Sequence, residues 1–188
     1  LDLSAFFETR FVAKLPAKAA LIEIAPGHGG WGLLALHRRS DARLDGFDIS
    51  PSSLEIARAR ATAAGVSDRA RYELRDALDL TSHPPGVADA CICNFLVEHL
   101  EEPDKLFEVI HHVLAPGGKA FVSGALTAAQ VDHIFELRRE SELVMLAERH
   151  GMRVLETLSV SPQRTLPRAR FLPRSMSLIV QKRTREDW

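Results

Sequence analysis

The stretch Leu21-Ile22-Glu23-Ile24-Ala25-Pro26-Gly27-His28-Gly29-Gly30-Trp31-Gly32 decides the fold that we predict for this chain. An apolar run containing one acid is followed by a glycine-rich turn and by the apolar segment 33–36. This order predicts a strand, a tight turn and a helix N-terminus, an arrangement that binds nucleotide-like ligands in open α/β sheets. The glycines let the backbone approach a ligand closely, and Glu23 can accept hydrogen bonds from such a ligand. A plain connecting turn is the alternative, because short glycine motifs arise by chance.

Strand and helix patterns alternate along the rest of the chain, which favours a parallel sheet. The final two strands have no helix between them and should therefore be antiparallel to each other. We predict strands at residues 20–25, 43–49, 69–75, 88–94, 119–124, 152–160 and 175–182. We predict helices at residues 3–14, 30–39, 52–64, 103–114 and 128–150, and a tight turn at 115–118.

Composition favours a soluble globular protein of one domain spanning residues 1–188. Hydrophobic residues make up 46% of the chain and the net charge is −1, which argues against nucleic acid as a partner. Neither a membrane span nor a signal peptide is expected, and Cys91 and Cys93 are predicted to be buried thiols, so we expect a cytoplasmic protein. The chain begins with Leu1 rather than methionine, which leaves open a truncated N-terminus. The sequence gives no signal about the oligomeric state.

Polar or small residues follow four consecutive predicted strands. They are Glu23 with the glycines, Asp48, Asp76-Ala77 and Asn94. A single aspartate after a strand is usually a turn residue or a helix cap. Because ligands of a doubly wound sheet bind at the carboxyl ends of its strands, four such positions together predict one binding site.

These motifs resemble those of class I S-adenosylmethionine-dependent methyltransferases of the small-molecule branch, over roughly residues 21–122. The resemblance implies a Rossmann-like, doubly wound α/β fold whose seven strands have the order 3-2-1-4-5-7-6, with strand 7 antiparallel. The segments that carry the resemblance are Glu23–Gly29, Phe47–Pro51, Leu54–Ala57, Asp76-Ala77, Asn94–Leu100 and Leu114–Gly118.

The resemblance also implies S-adenosylmethionine as cofactor and S-adenosylhomocysteine as product. Asp48 would accept from the ribose hydroxyls, and Asp76 from the adenine amino group. Ile49 and Leu96 would enclose the apolar faces, and the turn 27–29 would pack on the methionine part. The residues assigned to the cofactor are Glu23, Ala25, Gly27, His28, Gly29, Asp48, Ile49, Asp76, Ala77, Asn94, Phe95 and Leu96.

One departure from the family pattern lies in the first turn. The family usually has glycine at the position of Ala25, and Pro26 removes a backbone donor. Because alanine is small, we expect a shifted turn rather than lost binding.

Two rival functions remain open. Gly27-x-Gly29-x-x-Gly32, with Asp48 about 20 residues on, also fits a nicotinamide-dependent oxidoreductase. That alternative leaves Glu23, Asp76-Ala77 and the terminal hairpin unexplained. The second rival is a partner subunit that binds the cofactor without catalysis, since binding and catalytic residues are separate.

The expected reaction is in-line attack on the sulfonium methyl group, for which the protein supplies alignment and a dry pocket. A base is expected for methylation on oxygen, and His99 and His133 are the candidates, although His99 could equally cap a turn. No metal is implied, because the histidines are scattered and His111 and His112 point apart on a helix.

The expected acceptor is a small molecule with an anionic or polyhydroxylated group. Four arginines occupy the connection before the last strand, and guanidinium groups suit carboxylate or phosphate. A solvated basic loop is the alternative. These residues are Arg164, Arg168, Arg170 and Arg174, of which the last three are the substrate-site candidates.

Overall fold

Seven strands form one sheet in the computed structural model, which describes residues 2–127, 133–161 and 174–184. The strands lie in the order β3-β2-β1-β4-β5-β7-β6. Strands β1 to β5 pair in parallel, whereas β7 runs antiparallel to both β5 and β6, so the predicted sheet is confirmed. The strands are β1 (Ala20–Ile24), β2 (Arg43–Asp48), β3 (Ala70–Leu74), β4 (Ala88–Asn94), β5 (Leu114–Leu126), β6 (Met152–Val160) and β7 (Arg174–Lys182).

Helices pack on both faces of this sheet. The N-terminal helix α1 continues into a π-helical turn, Phe7–Phe11, and a 3-10 turn, Val12–Lys14. Two further 3-10 turns, Ala77–Ser82 and Val97–His99, follow β3 and β4 and were not predicted. The α-helices are α1 (Leu3–Phe6), α2 (Gly30–Arg38), α3 (Pro51–Ala63), α4 (Pro103–Val113) and α5 (Glu140–Arg149).

The predicted helix 128–150 is wrong in its first part. Residues 133–139 are not helical, and α5 begins only at Glu140; residues 128–132 lie outside the described part of the chain. Leu137 is fully buried and forms a parallel bridge to Leu126, which holds this segment extended beside β5. Glu142 then accepts from the backbone amides of Arg138 and Arg139, and these bonds fix the start of the helix.

The predicted turn at 115–118 is instead a bulge inside β5. Leu114 pairs with Ala88, but the next pairing joins Lys119 to Ala90, so extra residues of β5 bulge out between the two pairs. Gly117 has a φ of 76°, a conformation that favours glycine. The proline and glycines therefore interrupt the pairing without ending the strand.

Two apolar layers enclose the sheet. Strand alternation directs Leu21 toward one layer and Ile22 toward the other. The first layer includes Phe7, Phe11 and Phe121, whose rings contact one another, and the second is built on α4 and α5. Cys91 and Cys93 are buried free thiols on β4, as predicted. None of the described helices has the length and hydrophobicity that crossing a bilayer requires.

Candidate active site

The turn between β1 and α2 has an unusual backbone. Ala25, Gly27 and Gly29 all have positive φ angles, of 50°, 52° and 71°. The Gly29 amide closes the turn on the carbonyl of Pro26 at 2.7 Å, and the Ala25 amide donates to the carbonyl of Phe47 at 2.9 Å. Ala25 thus holds a conformation that glycine adopts without strain, at a cost of about 1–3 kcal/mol that the surrounding contacts offset.

Asp48 joins the turn after β1 to the turn after β2. Its Oδ2 accepts from the amide of Gly27 at 2.9 Å, and its Oδ1 accepts from the amide of Ser50 at 2.9 Å. The residue is only 8% exposed, whereas its neighbour Ile49 is 72% exposed. Because each carboxylate oxygen has two lone pairs, Asp48 retains acceptor capacity for the hydroxyl groups of a ligand.

Glu23 lies beneath the N-terminus of α2. Its Oε1 accepts from the amide of Gly32 at 3.0 Å, and Oε2 is buried with no partner among the described residues. Burial raises the pKa of Glu23 to about 8. The hydrogen bond from the Gly32 amide lowers this pKa, and the negative charge of Asp48 raises it further. Glu23 therefore supports the turn from below, and its direct contact with a ligand stays a prediction.

Asp76 and Ala77 start the 3-10 turn after β3. The exposed Asp76 accepts from the amide of Leu78 through Oδ1 at 2.9 Å, and Ala77 is buried. Asp76 thus serves as the cap that a lone aspartate usually forms. Its exposure also leaves the carboxylate accessible to a ligand at the strand end.

The end of β4 presents an unsatisfied amide. Neither Oδ1 nor Nδ2 of Asn94 has a hydrogen-bond partner within the described chain, although both atoms are buried. The next residue, Phe95, has a φ of 55°, and its amide donates to the carbonyl of Ser123 at 2.9 Å. Buried amides without partners are uncommon, so Asn94 is a candidate to bind a polar ligand group.

Apolar side chains stand exposed at three of the strand ends. Ile49 follows β2 and is 72% exposed, Leu74 ends β3 at 55%, and Phe95 follows β4 at 36%. Leu96 beside Phe95 is half-buried and packs against the core. Exposed apolar groups next to polar strand ends are the combination that small-ligand sites use.

His28, in the turn between β1 and α2, is also exposed, and its carbonyl accepts a hydrogen bond from Arg60 at 3.0 Å.

The structure brings the two candidate bases, His99 and His133, into contact, and their role as bases stays a prediction. Their ring centroids are 5.0 Å apart with the rings nearly perpendicular, and both residues are half-buried. Ile134 and Phe135 donate their amides to the carbonyl of Glu98 at 2.8 and 2.9 Å, which fastens this segment to the turn after β4.

Glu98 is a further candidate site residue that the sequence analysis did not single out. It is 2% exposed, its Oε1 accepts from the amide of Ala125 at 3.2 Å, and Oε2 is buried without a partner in the described chain. Burial raises the pKa of Glu98, and the nearby charges of His99 and His133 oppose that rise. The available signal was an acid next to His99 within an otherwise apolar segment.

The arginine cluster is largely outside the described residues. Arg164, Arg168 and Arg170 fall there, and the structure describes only Arg174. Arg174 begins β7 and lies 3.9 Å from Glu140 Oε1 in a partly exposed pair. A contact between these arginines and an acceptor stays a prediction.

Sequence comparisons identify relatives of this chain. A family model described as a methyltransferase domain matches residues 21–118, more than half of the chain. The ubiquinone biosynthesis O-methyltransferase of Xylella fastidiosa is 30% identical over 52% of this chain and 39% of its own length. The demethylmenaquinone methyltransferase of Thermus thermophilus is 33% identical over 56% and 47%, and the ajmaline N-methyltransferase of Rauvolfia serpentina is 28% identical over 54% and 34%. The matched segment thus spans less than half of each of these curated relatives.

Solved structures share the fold. A putative methyltransferase from Bacillus halodurans superimposes with a TM-score of 0.80 at 14% identity, covering 96% of this chain and 100% of the other. The (4+2)-cyclase SpnF gives 0.78 at 19% identity, with coverages of 96% and 81%. The matched family model includes the first turn, Asp48, Asp76 and the end of β4. The chain therefore belongs to the class I S-adenosylmethionine-dependent methyltransferases, the family whose cofactor is S-adenosylmethionine.

Proposed function

We propose that this protein transfers the methyl group of S-adenosylmethionine to an oxygen atom of a small-molecule acceptor. The observation that carries the proposal is the position of the His99–His133 pair. His99 follows β4, the neighbour of β1 in the sheet, and His133 contacts it, so the pair lies on the same edge as the turn that Asp48 and Gly27 join. A cofactor turn and titratable groups on one edge are what methylation of a hydroxyl group requires.

The first three strand ends would hold the cofactor. Gly27 offers a backbone without a side chain where the methionine part would lie, and a Cβ built there meets nothing within 4 Å. Asp48 would accept from the ribose hydroxyls, and Asp76 from the adenine amino group. Ile49 would cover one face of the adenine ring, since it is the most exposed large apolar side chain of the described site.

The chemistry would then need alignment and one deprotonation. The sulfonium group is already electrophilic, so holding the acceptor oxygen in line with the methyl group supplies much of the rate. His99 or His133 would accept the hydroxyl proton, a contribution of typically 10²–10⁴-fold. Glu98 is buried beside the two histidines. Its carboxylate would position their rings and favour the protonated imidazolium form.

The acceptor would be small and anionic or polyhydroxylated. The net charge of −1 argues against nucleic acid, which usually needs a dominant basic face. Arg168, Arg170 and Arg174 would bind a carboxylate or phosphate of the acceptor. The name of the Xylella relative, an O-methyltransferase, supports oxygen as the target, whereas the Rauvolfia relative is named an N-methyltransferase.

The two rival functions fare differently, because only the nicotinamide-dependent oxidoreductase loses support and the non-catalytic partner subunit stays an alternative. Membership of the methyltransferase family disfavours a nicotinamide cofactor, because the matched model includes both the turn and Asp48. A role other than methyl transfer has one observation in its favour, since the cyclase SpnF shares this fold. A fold alone does not fix the reaction.

An acceptor screen tests the proposed reaction. The purified protein is incubated with methyl-labelled S-adenosylmethionine and panels of sugars, phenols, carboxylic acids, amines and thiols, and product formation is followed by mass spectrometry. We expect methylated products only among the hydroxyl and carboxyl compounds. Methylation confined to amines or thiols would contradict the assignment of oxygen.

A further inference from the structure

We propose that Glu98, His99 and His133 form a binding site for a borderline divalent transition-metal ion such as Zn²⁺, Fe²⁺ or Co²⁺. The three residues each offer one ligand atom, and these atoms lie within 4.8 Å of one another. Atoms bound to one such ion at typical lengths lie about 3–4 Å apart, so small side-chain rotations would complete the site. This proposal differs from the expectation of the sequence analysis, in which no metal is implied.

The backbone holds the three ligands in place. Glu98 and His99 belong to one 3-10 turn, and the carbonyl of Glu98 accepts from the amides of Ile134 and Phe135, directly after His133. Two segments that are distant in sequence are thereby fixed to each other beside the ligand atoms. Pre-organised ligands lose less conformational freedom when an ion binds.

Glu98 supplies a second, independent observation, a buried carboxylate oxygen without a partner among the described residues. Its Oε1 is occupied by the amide of Ala125, but Oε2 is buried with no hydrogen-bond partner in the described chain. A buried carboxylate oxygen without a partner is costly, and a coordinated cation would satisfy it. The bond from Ala125 would orient the carboxylate, as the outer partners of metal ligands do.

The donor set selects the class of ion. Two imidazoles and one carboxylate suit Zn²⁺, Fe²⁺ or Co²⁺, whereas Mg²⁺ prefers ligands that are all oxygen. Three protein ligands leave at least one coordination position open, which is the pattern of catalytic rather than structural sites. Since both histidines are half-buried rather than enclosed, an acceptor can reach that position.

A role for the ion in catalysis rests on the proposed function. The acceptor hydroxyl oxygen would occupy the open position, where its pKa falls and its proton leaves to solvent water. The oxyanion would form the new O–C bond to the sulfonium methyl group. The C–S bond would break with its electron pair staying on sulfur, which yields S-adenosylhomocysteine. With the ion bound, His99 and His133 would be its ligands, and the hydroxyl proton assigned to one of them in the proposed function would leave to water instead.

The experiment measures metal binding directly. Tag-free protein is treated with EDTA, desalted and titrated with ZnCl₂ by calorimetry, and the bound metal is counted by mass spectrometry. We expect one zinc ion per chain. His99→Ala and His133→Ala should each weaken zinc binding by more than about 100-fold. Such a loss exceeds the effect typical of removing a residue that only hydrogen-bonds to a metal ligand.

Two further variants keep this test falsifiable. Glu98→Gln retains an amide oxygen for the Ala125 bond but removes the charge, and it should also weaken zinc binding. His37→Ala removes an exposed histidine on α2 and should leave zinc binding unchanged. Absence of zinc from the wild-type protein, or equal affinity in all variants, would overturn the proposal.

Titration of each variant with S-adenosylmethionine separates this inference from the proposed function. If the cofactor binds and oxygen is methylated in the presence of EDTA while zinc does not bind, the metal site is wrong and the proposed function stands. If zinc binds but no cofactor does, the proposed function is wrong and the metal site stands.

Discussion

The amide of Gly27 donates a 2.9 Å hydrogen bond to the carboxylate of Asp48, and this bond joins the turns after β1 and β2. The two strands are neighbours in the sheet, with Ile24 paired to Phe47 just before the turns. A single carboxylate thereby fixes the distance between the parts of the site assigned to the methionine and the ribose of the cofactor.

Replacing Asp48 should weaken cofactor binding. Asp48→Ala removes a charge-assisted acceptor, so S-adenosylhomocysteine affinity should fall by about 1.5–3 kcal/mol, or roughly 10- to 150-fold. Calorimetric titration measures this change. Asp45→Ala, on the same strand but on its opposite face, is the matched control and should bind normally. Equal affinity of Asp48→Ala and wild type would remove Asp48 from the site.

Two glycines of α2 should respond oppositely to alanine. A Cβ at Gly32 would collide with Glu23 Oε2 and lie 2.5 Å from Leu44 Cδ2, so Gly32→Ala should destabilise the fold by about 1–3 kcal/mol. A Cβ at Gly30 meets nothing within 4 Å, so Gly30→Ala should be neutral or slightly stabilising. Chemical denaturation measures both, and a stable Gly32→Ala would disprove the close approach of Glu23 to α2.

The buried Glu23 should make stability depend on pH. Its folded pKa of about 8 lies above its ordinary value of 4.5, so folding disfavours the charged form. The contribution of Glu23 is therefore most favourable below pH 4.5 and is lost as pH rises to 8, at a slope approaching about 1.4 kcal/mol per pH unit. Above pH 8 the loss is complete.

Glu23→Gln provides the measurement of this effect. Glutamine keeps an oxygen for the Gly32 amide but does not titrate, so the variant should gain stability relative to wild type as pH rises from 4.5 to 8. Urea denaturation at several pH values gives the difference. A constant difference across this window would mean that Glu23 titrates normally in the folded protein.

Loss of either clustered imidazole should slow turnover. Whether it serves as a base or as a metal ligand, His99→Ala or His133→Ala should lower kcat by about 10²–10⁴-fold at neutral pH. His37→Ala should retain wild-type kcat, and cofactor affinity should stay unchanged in all three variants. A pH–rate profile with an accepted substrate checks this, and wild-type turnover in both variants would remove the pair from the acceptor site.

Much of the fold was predictable because its signals are local. Apolar runs bounded by glycine, proline and aspartate predicted all seven strands, and the missing helix between β6 and β7 predicted their antiparallel pairing. The helix at 128–150 was too long because its apolar periodicity continues through Leu137. That side chain is buried by a tertiary bridge to Leu126, which a local pattern does not contain.

The site was predictable in its positions more than in its interactions. Strand ends predicted where Asp48 and Asn94 lie, but not that Asp48 holds the amide of Gly27. The strand end predicted the place of Glu23 as well, but not its bond to the amide of Gly32 in α2, and its contact with a ligand stays a prediction. Glu98 was missed because its carboxylate is held by the amide of Ala125, 27 residues away in the sequence, a contact that a local pattern does not contain.

Calorimetric titration of the wild-type protein with S-adenosylmethionine, S-adenosylhomocysteine and NAD tests the central claim most directly. The account predicts saturable binding of one S-adenosylmethionine or S-adenosylhomocysteine molecule per chain, with NAD binding far more weakly or not at all. Tighter binding of NAD than of S-adenosylmethionine would contradict it.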